Sequence, residues 1–292
     1  MDRPRRVVTD SMIGIKLPNY ARYSPRVAFV LGQNPGMFTG PGTNTYLVGT
    51  SRRPLLLDTG AGVASYADIL VEGVAELSHS RELDKIVATH GHADHIGGVR
   101  QIRERFGEVE VMKKPWPERD AALKATPDKV LEAGDEVATE GATLKAVFTP
   151  GHAPDHLCYY LIEERALFTG DVVLGAGTTV IPEEGGDLGL YLDSLKRLLE
   201  LDLETIYPAH GPVIRNPEQK IREYIAHREL RENQVLDALK LGPQDVMAIV
   251  KKIYTDVPES LHQAAASSIR SHLKKLRKEG AVTELQDQWT LR

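Results

Sequence analysis

With one cysteine in 292 residues, the chain cannot close a disulfide within itself, so burial and hydrogen bonding alone must hold it together. That residue, Cys158, sits in the apolar run "HLCYYLI", where a thiol serves as a small buried hydrophobe rather than a nucleophile, and a reducing compartment suits it. No apolar run approaches the roughly 20 residues of a membrane span, so no membrane association is expected. The opening "MDRPRRVVTDSMIGIKLPNYARYSPR" lacks the apolar core of a signal peptide. The expected location is the cytoplasm, or the mitochondrial matrix in a eukaryote because the start is basic and contains serine; Asp2 and Asp10 count against the second address, and residues 1–25 are expected to form an N-terminal tail. Internal repeats and low-complexity stretches are missing too. So is an excess of positive charge: 36 Lys and Arg face 41 Asp and Glu, a net charge of -5, which disfavours polyanions on average. The deficit is uneven. Residues 216–292 hold 13 Lys and Arg against 11 Asp and Glu, and the preceding residues hold 23 against 30, so the C-terminal part is the region that permits nucleic-acid contact.

What is present is enough apolar residue, 41%, to bury a sizeable core, at a length suited to one large domain and a small one. "RVAFVLG", "TNTYLVGT" and "PLLLDTG" read as strands of a meander. "YADILVEGVAELSHS" has helical spacing, "DKIVAT" is a buried strand, and "GGVRQIRERF" is a helix. Short strands follow at "VEVMKK", "ATLKAVFT", "LCYYLIE" and "ALFTG", then helix "LYLDSLKRLLEL" and strand "TIYPA". The pattern predicts an α+β chain with two sheets face to face and helices outside, over residues 26–215. From residue 216 the chain turns helical. "RNPEQKIREYIAHRELRENQ" opens a long charged helix, and Pro243 is expected to start another. A continuous helical face runs from Leu261 through Ala264, Ala265, Ser268, Ile269, His272, Leu273 and Leu276 to a stop at Gly280. "AVTEL" and "QWTLR" can then pair across "QD", giving residues 216–292 the plan of a helical linker and a winged helix.

The densest chemistry lies in "THGHADH", residues 89–95. An extended segment puts His90 and His92 on one side, and a turn at Ala93 brings Asp94 and His95 to a neighbouring point. Imidazole and carboxylate without thiolate suit zinc and tolerate iron or manganese. Four ligands cannot close two sites, and three more candidates follow short apolar strands: His152, Asp171 and His210. The arrangement expected is His90, His92 and His152 on one metal, Asp94, His95 and His210 on the other, with Asp171 bridging both and the carboxylates Asp94 and Asp171 as catalytic groups. Such a pair would activate a water and clamp the attacked group. A lone histidine is most often a surface or capping residue; a cluster with three strand-end partners is a different case.

"THGHADH", "TPGH", "TGD" and "PAHG", in this order, resemble the metallo-beta-lactamase superfamily over residues 27–215. "VLGQNPG", "GTNTYLVGT", "DTG", "EGATLKAVFTPGH", "GDVVLGAGTTV", "YPAHGPVI" and "HLKKLRKEG" extend the resemblance to a branch with an associated winged-helix tail. The resemblance implies an αββα sandwich with a binuclear centre at one edge of the sheets, held by the same seven residues. Gly91 departs from it, standing where the superfamily often has Trp, which implies wider access to the metals.

Asp58 in "LLLDTG" is expected to orient the metal-binding loop. His156 can serve as a proton donor or as a packed histidine and is left out of the ligand set. Asn44 is a candidate to line the groove, and Lys114, with Lys113 and Trp116, to hold a phosphate and stack a base. Lys274, Lys275, Arg277 and Lys278 either contact phosphates or complement their own helix end. Within the resemblance, a bridging Asp171 implies a thioesterase, lactonase or nuclease rather than a true beta-lactamase. The first reading is an endoribonuclease cutting single-stranded RNA. The second is hydrolysis of a small acyl substrate, a thioester or lactone, as in glyoxalase II or polyketide thioesterases. The third is a nucleic-acid-binding module with a structural metal site, against which seven ligands leave coordination positions open. A homodimer is compatible with all three.

Overall fold

The computed structural model describes residues 12, 14–255, 258–259 and 262–292. The first half lays down a seven-stranded sheet in sequence order. Its strands are β1 (Tyr20–Arg22), β2 (Val27–Leu31), β3 (Asn44–Val48) and β4 (Leu55–Leu57), then, after helix α1 (Ala64–Ser78), β5 (Lys85–Val87). Helices α2 (Ala93–Ile96) and α3 (Val99–Phe106) lead to β6 (Glu110–Lys113), and α4 (Pro117–Leu123) to β7 (Lys129–Val130). The first four strands pair antiparallel and the last four parallel, the change coming where helical crossovers replace hairpins. The second sheet, ordered β12-β11-β10-β9-β8, comprises β8 (Glu136–Thr139), β9 (Ala142–Phe148), β10 (Leu157–Leu161), β11 (Ala166–Gly170) and, after α5 (Leu188–Leu198), β12 (Thr205–Pro208).

Side-chain alternation along the strands assigns the layers. Val27, Phe29 and Leu31 of β2 enter the core between the sheets, while Ala28 and Val30 face the cluster that includes Tyr66, Leu70 and Val74 of α1. Leu157 and Tyr159 of β10 face the same central core, and Cys158 faces the cluster of α5. Both faces of each sheet are covered, which is why these strands read as unbroken apolar runs. The result is an αββα sandwich. Cys158 is fully buried, and burial pushes its thiol up to about 12.

Helix α6 (Pro217–Leu239) joins two cores: Ile221 and Tyr224 pack with α5, Val235 and Leu239 with the tail. The tail is a winged helix of α7 (Val246–Ile253), α8 (His262–Lys278) and the hairpin β13 (Val282–Leu285) and β14 (Gln288–Leu291). Gln286 and Asp287 turn the hairpin with φ of 50° and 61°. Gly280, at φ 77°, ends α8 as expected.

Two sequence expectations are corrected here. Residues 20–22, placed in an N-terminal tail, form β1 against Ala28–Val30; three residues were too short for a periodicity to register. Pro243 does not open α7: Asp245 caps it, accepting from Ala248 N, while Gln244 is held in a bridge to Trp289. Leu261 and the Ala264 side chain, assigned to the face of α8, lie outside the described residues.

Candidate active site

Every residue expected at the metal centre follows the carboxyl end of a strand or sits in the short helix after one. Asp58 follows β4; His90 and His92 follow β5; Asp94 and His95 are in α2; His152 follows β9, Asp171 follows β11 and His210 follows β12. The two sheets thus deliver their polar ends to one edge. Among the described residues the donor atoms gather in two groups, His90, His92, His152 and Asp171 in one and Asp94, His95 and His210 in the other, each within 4.8 Å. Asp171 reaches both: its Oδ2 lies 3.4 Å from His152 Nε2, and its Oδ1 lies 3.4 Å from His95 Nε2 and 3.2 Å from His210 Nε2.

Four of the five imidazoles spend one nitrogen on the scaffold and turn the other inward. His95 Nδ1 donates to Asp58 Oδ2 at 2.8 Å, and His152 Nδ1 donates to Val180 O at 2.8 Å. His90 Nδ1 donates to Thr89 Oγ1 at 3.0 Å, and that hydroxyl in turn donates to Asp58 at 2.9 Å. His210 Nδ1 faces Gly42 O at 3.4 Å. Asp58, 1% exposed and with its backbone in the left-handed region at φ 60°, also takes the Thr89 N–H at 2.7 Å, so one carboxylate fixes both the loop and the His95 tautomer.

Those tautomers make a test of whether the site fits a cation. With Nδ1 of His90 and His152 committed as donors, their Nε2 lone pairs both face His92 Nδ1 at 2.9 Å, and one proton there can satisfy only one of them. His95 Nε2 and Asp171 Oδ1 are buried without any hydrogen-bond partner. Two imidazole lone pairs converging on one nitrogen, beside a buried imidazole nitrogen and a carboxylate oxygen that lack hydrogen bonds, are what a metal ion relieves. The residues fit.

The electrostatics divide along the same line. Burial, followed by the charge of neighbouring imidazoles, drives His90 well below its usual range and takes His92 down to about 3. Burial alone would lower His210 too, but Asp171 and Asp94 outweigh it and raise it to about 9; Asp94, Asp171 and Asp58 likewise raise His95. Burial disfavours the charged forms of Asp94 and Asp171, yet the same two histidines hold both carboxyls far below the ordinary range. Without metal, protons on His95 and His210 supply the positive charge of that half.

Three expected contacts are corrected. Asn44 does not line the groove: it is 1% exposed, and its Nδ2 donates to Pro208 O at 2.9 Å and Gly211 O at 2.8 Å, clamping the turn that carries His210. Lys114 is tied to Glu132 with its ammonium 5.2 Å from the Phe148 ring, outside the donor cluster. Lys113 is fully buried between Asp120 at 2.7 Å and Asp155 at 3.0 Å, so it offers nothing to a phosphate. His156 accepts from the Asp171 N–H at 3.2 Å and pairs with Thr149, a packed histidine that positions the ligand-bearing turn. At Gly170 beside it, with φ 48°, a Cβ would stand 2.5 Å from His156 Nε2, so only glycine fits.

Sequence reasoning missed Thr43, whose hydroxyl lies 3.3 Å from Asp94 Oδ2 and whose backbone bridges His210. The polar loop "GPGTNTY" carried that signal, but it was read onto Asn44 one residue later.

A family model described as the metallo-beta-lactamase superfamily matches residues 38–210, and one described as the beta-lactamase associated winged helix domain matches residues 246–289. The chain belongs to the metallo-beta-lactamase superfamily. It is 40% identical over 263 residues to a "Beta-lactamase-like protein 2 homolog" of Caenorhabditis elegans, covering 89% of this chain and 87% of that one. An "Atrochrysone carboxyl ACP thioesterase" of Aspergillus fumigatus is 42% identical over 227 residues, 77% of this chain and 68% of its own length. Among solved structures, a beta-lactamase domain protein from Burkholderia ambifaria has the same fold, with a TM-score of 0.80 over 97% of each chain at 19% identity. For this superfamily member, the wider access expected at Gly91 is not found. A Cβ there would lie 3.4 Å from Trp116 Cε3 and 3.2 Å from Asp155 Oδ2, so the space is taken by the Trp116 ring, which leans on His92 at 5.8 Å between centroids.

Proposed function

We propose that the chain is a binuclear metal-dependent hydrolase of a small acyl substrate, a thioester or related ester. Its catalytic unit comprises residues 26–215 with β1 added at the edge, followed by the helical and winged-helix part. His90, His92 and His152 would hold one metal, Asp94, His95 and His210 the other, with Asp171 between them. Zinc suits this donor set best, and iron or manganese can use it. When bound, the pair supplies Lewis acidity and an activated water. Around it, the chain's own residues do the positioning. Asp58 and Thr89 hold His95 and His90 in the tautomers that face inward, Val180 O does the same for His152, and Asn44 and Thr43 fix the His210 turn. Trp116 walls the cluster beside His92 with an apolar ring an acyl group can meet, and the Arg119 guanidinium stacked on that ring at 5.3 Å is paired with Glu184.

The observation that carries the choice of substrate is the fate of Lys113 and Lys114. Both are neutralised by carboxylates, so neither lysine expected to hold a phosphate backbone is free to do so. At the end of the C-terminal helix three of the four cations are paired as well, Lys275 with Glu232, Arg277 with Glu284 and Lys278 with Asp187, while Lys274 has no carboxylate partner among the described residues. The fungal relatives named as thioesterases agree with the acyl reading. RNA cleavage, ranked first from sequence, therefore becomes second. A panel of acyl thioesters, a lactone and labelled single-stranded RNA, run with wild type and Asp171→Ala, tests the order. Metal-dependent turnover of the thioesters, lost in the variant, supports the proposal; RNA cleavage lost in the variant while every acyl substrate stays inert reverses it.

A further inference from the structure

Behind the segment that joins Asp171 to Val180 lies a second cavity, of about 230 Å³, lined by residues 178–181, Tyr254 and parts of α6 and α8. Its wall includes Arg228 and Arg231 from α6 and the hydroxyl residues Ser267, Ser268 and Ser271 from α8, and no Asp or Glu among the described residues. Both arginines use neutral acceptors: Arg228 donates to Thr179 O, and Arg231 donates through Nη1 to Gln234 Oε1. Arg231 Nε and His227 Nδ1, on the same wall, are buried atoms with no hydrogen-bond partner, the Arg231 guanidinium lying 4.0 Å over the Tyr254 ring. The neighbouring ionisations report the uncompensated charge. Burial and then the positive charges of Arg228 and Arg231 take His227 down to about 4, and burial lowers Arg231 itself, against Tyr254, which raises it, and with a smaller push from Arg228. Several other cations on these helices are matched by carboxylates, as Arg222 is by Glu218, Arg270 by Glu183 and Lys275 by Glu232. Here a carbonyl, an amide and two aromatic rings stand in for a carboxylate, and two guanidiniums on one wall without an acidic partner favour a counter-ion.

We propose that this cavity is a binding site for a phosphate-class oxyanion, with Arg231 making the main charge-assisted contact and the Ser267 and Ser268 hydroxyls completing it, Ser271 being committed to backbone carbonyls. The size suits such an ion. It far exceeds the roughly 30 Å³ of one water and falls below the roughly 300 Å³ at which pockets for larger organic ligands begin. The donor set suits it as well, since guanidinium forks and two hydroxyls match four oxygens better than the two of a carboxylate. The cavity is separate from the metal centre but shares a wall with it: Thr179 Oγ1 donates to Asp171 O at 2.7 Å, and Val180 O takes the His152 proton. The anion can be free phosphate or the phosphate ester of a longer substrate.

The test is calorimetric titration of the metal-loaded protein with inorganic phosphate. Wild type should show one saturable site that weakens at least tenfold in Arg231→Gln and in Ser268→Asp, the second variant supplying an internal carboxylate in place of the ion. Either variant alone decides the matter if the other fails to fold. A second arm compares KM for a phosphopantetheinyl thioester and for the same acyl group on N-acetylcysteamine, which has no phosphate. A rise in KM confined to the first substrate in Arg231→Gln identifies the ester as the source, and no difference identifies the free ion. The titration does not depend on the acyl-hydrolase reading. Phosphate binding absent from wild type, or equally tight in wild type and both variants, overturns the proposal, the latter placing the ion at the metals instead.

Discussion

Around His90, His92 and His152 burial comes first and other imidazoles add to it, outweighing the Asp171 carboxylate beside His92 and His152, and all three lie below the ordinary histidine range. Some residues away, around His95 and His210, the surroundings are Asp94, Asp171 and Asp58, and both histidines lie above it. The first half is a set of neutral lone pairs awaiting a cation; the second is a set of carboxylates holding protons where a cation would go. Metal uptake therefore costs little proton displacement in one half and more in the other. Asp171 belongs to both, which makes it the residue whose removal should blur the distinction.

The largest effect is expected from Asp171→Ala. Both halves lose a donor, so metal content should fall in each and turnover should drop by about 10³-fold or more. Metal analysis beside steady-state kinetics checks this. Next, His92→Ala and His210→Ala should each lose metal from their own half and retain it in the other, readable as one equivalent in place of two; loss of both equivalents from either variant would erase the comparison. Asp58→Asn touches only the orientation of His95 and the loop, and metal affinity should fall by about 10- to 100-fold.

The pH dependence of the metal-free protein sharpens the same contrast. His210 has a folded-state value raised to about 9 above its usual 6.5, so its contribution to stability is complete below about 6.5 and is lost as pH rises through about 9. Thermal melts of chelated protein should thus fall over that window, and metal-loaded protein should not follow. The smallest effect belongs to Lys114→Ala, which removes an ion pair outside the cluster; stability should shift by about 0.5 kcal/mol or less with activity unchanged.

The layers of the fold were legible in the sequence because β2, β4 and β10 alternate between two apolar cores, and "THGHADH" with three strand-end partners was legible because metal chemistry needs rare residue types. The supporting contacts were not. Asn44 looked like a groove residue and proved to be a clamp, since a buried amide is set by which backbone carbonyls lie across the fold, here Pro208 and Gly211. Lys113 read as a surface cation and is buried between Asp120 and Asp155, a pairing made by tertiary contact alone. Trp116, opposite Gly91, shows the same limit: a space opened at one position is filled from a separate helix entrance.

The central claim is that seven imidazole and carboxylate groups form two adjoining cation sites that share Asp171. Calorimetric titration of the chelated protein with zinc, repeated in buffers of different ionisation enthalpy, tests it most directly. Two equivalents are predicted, one binding with little proton release and the other releasing protons below about pH 9 as His210 gives up its charge. A single equivalent, or two that release protons alike, would contradict the account.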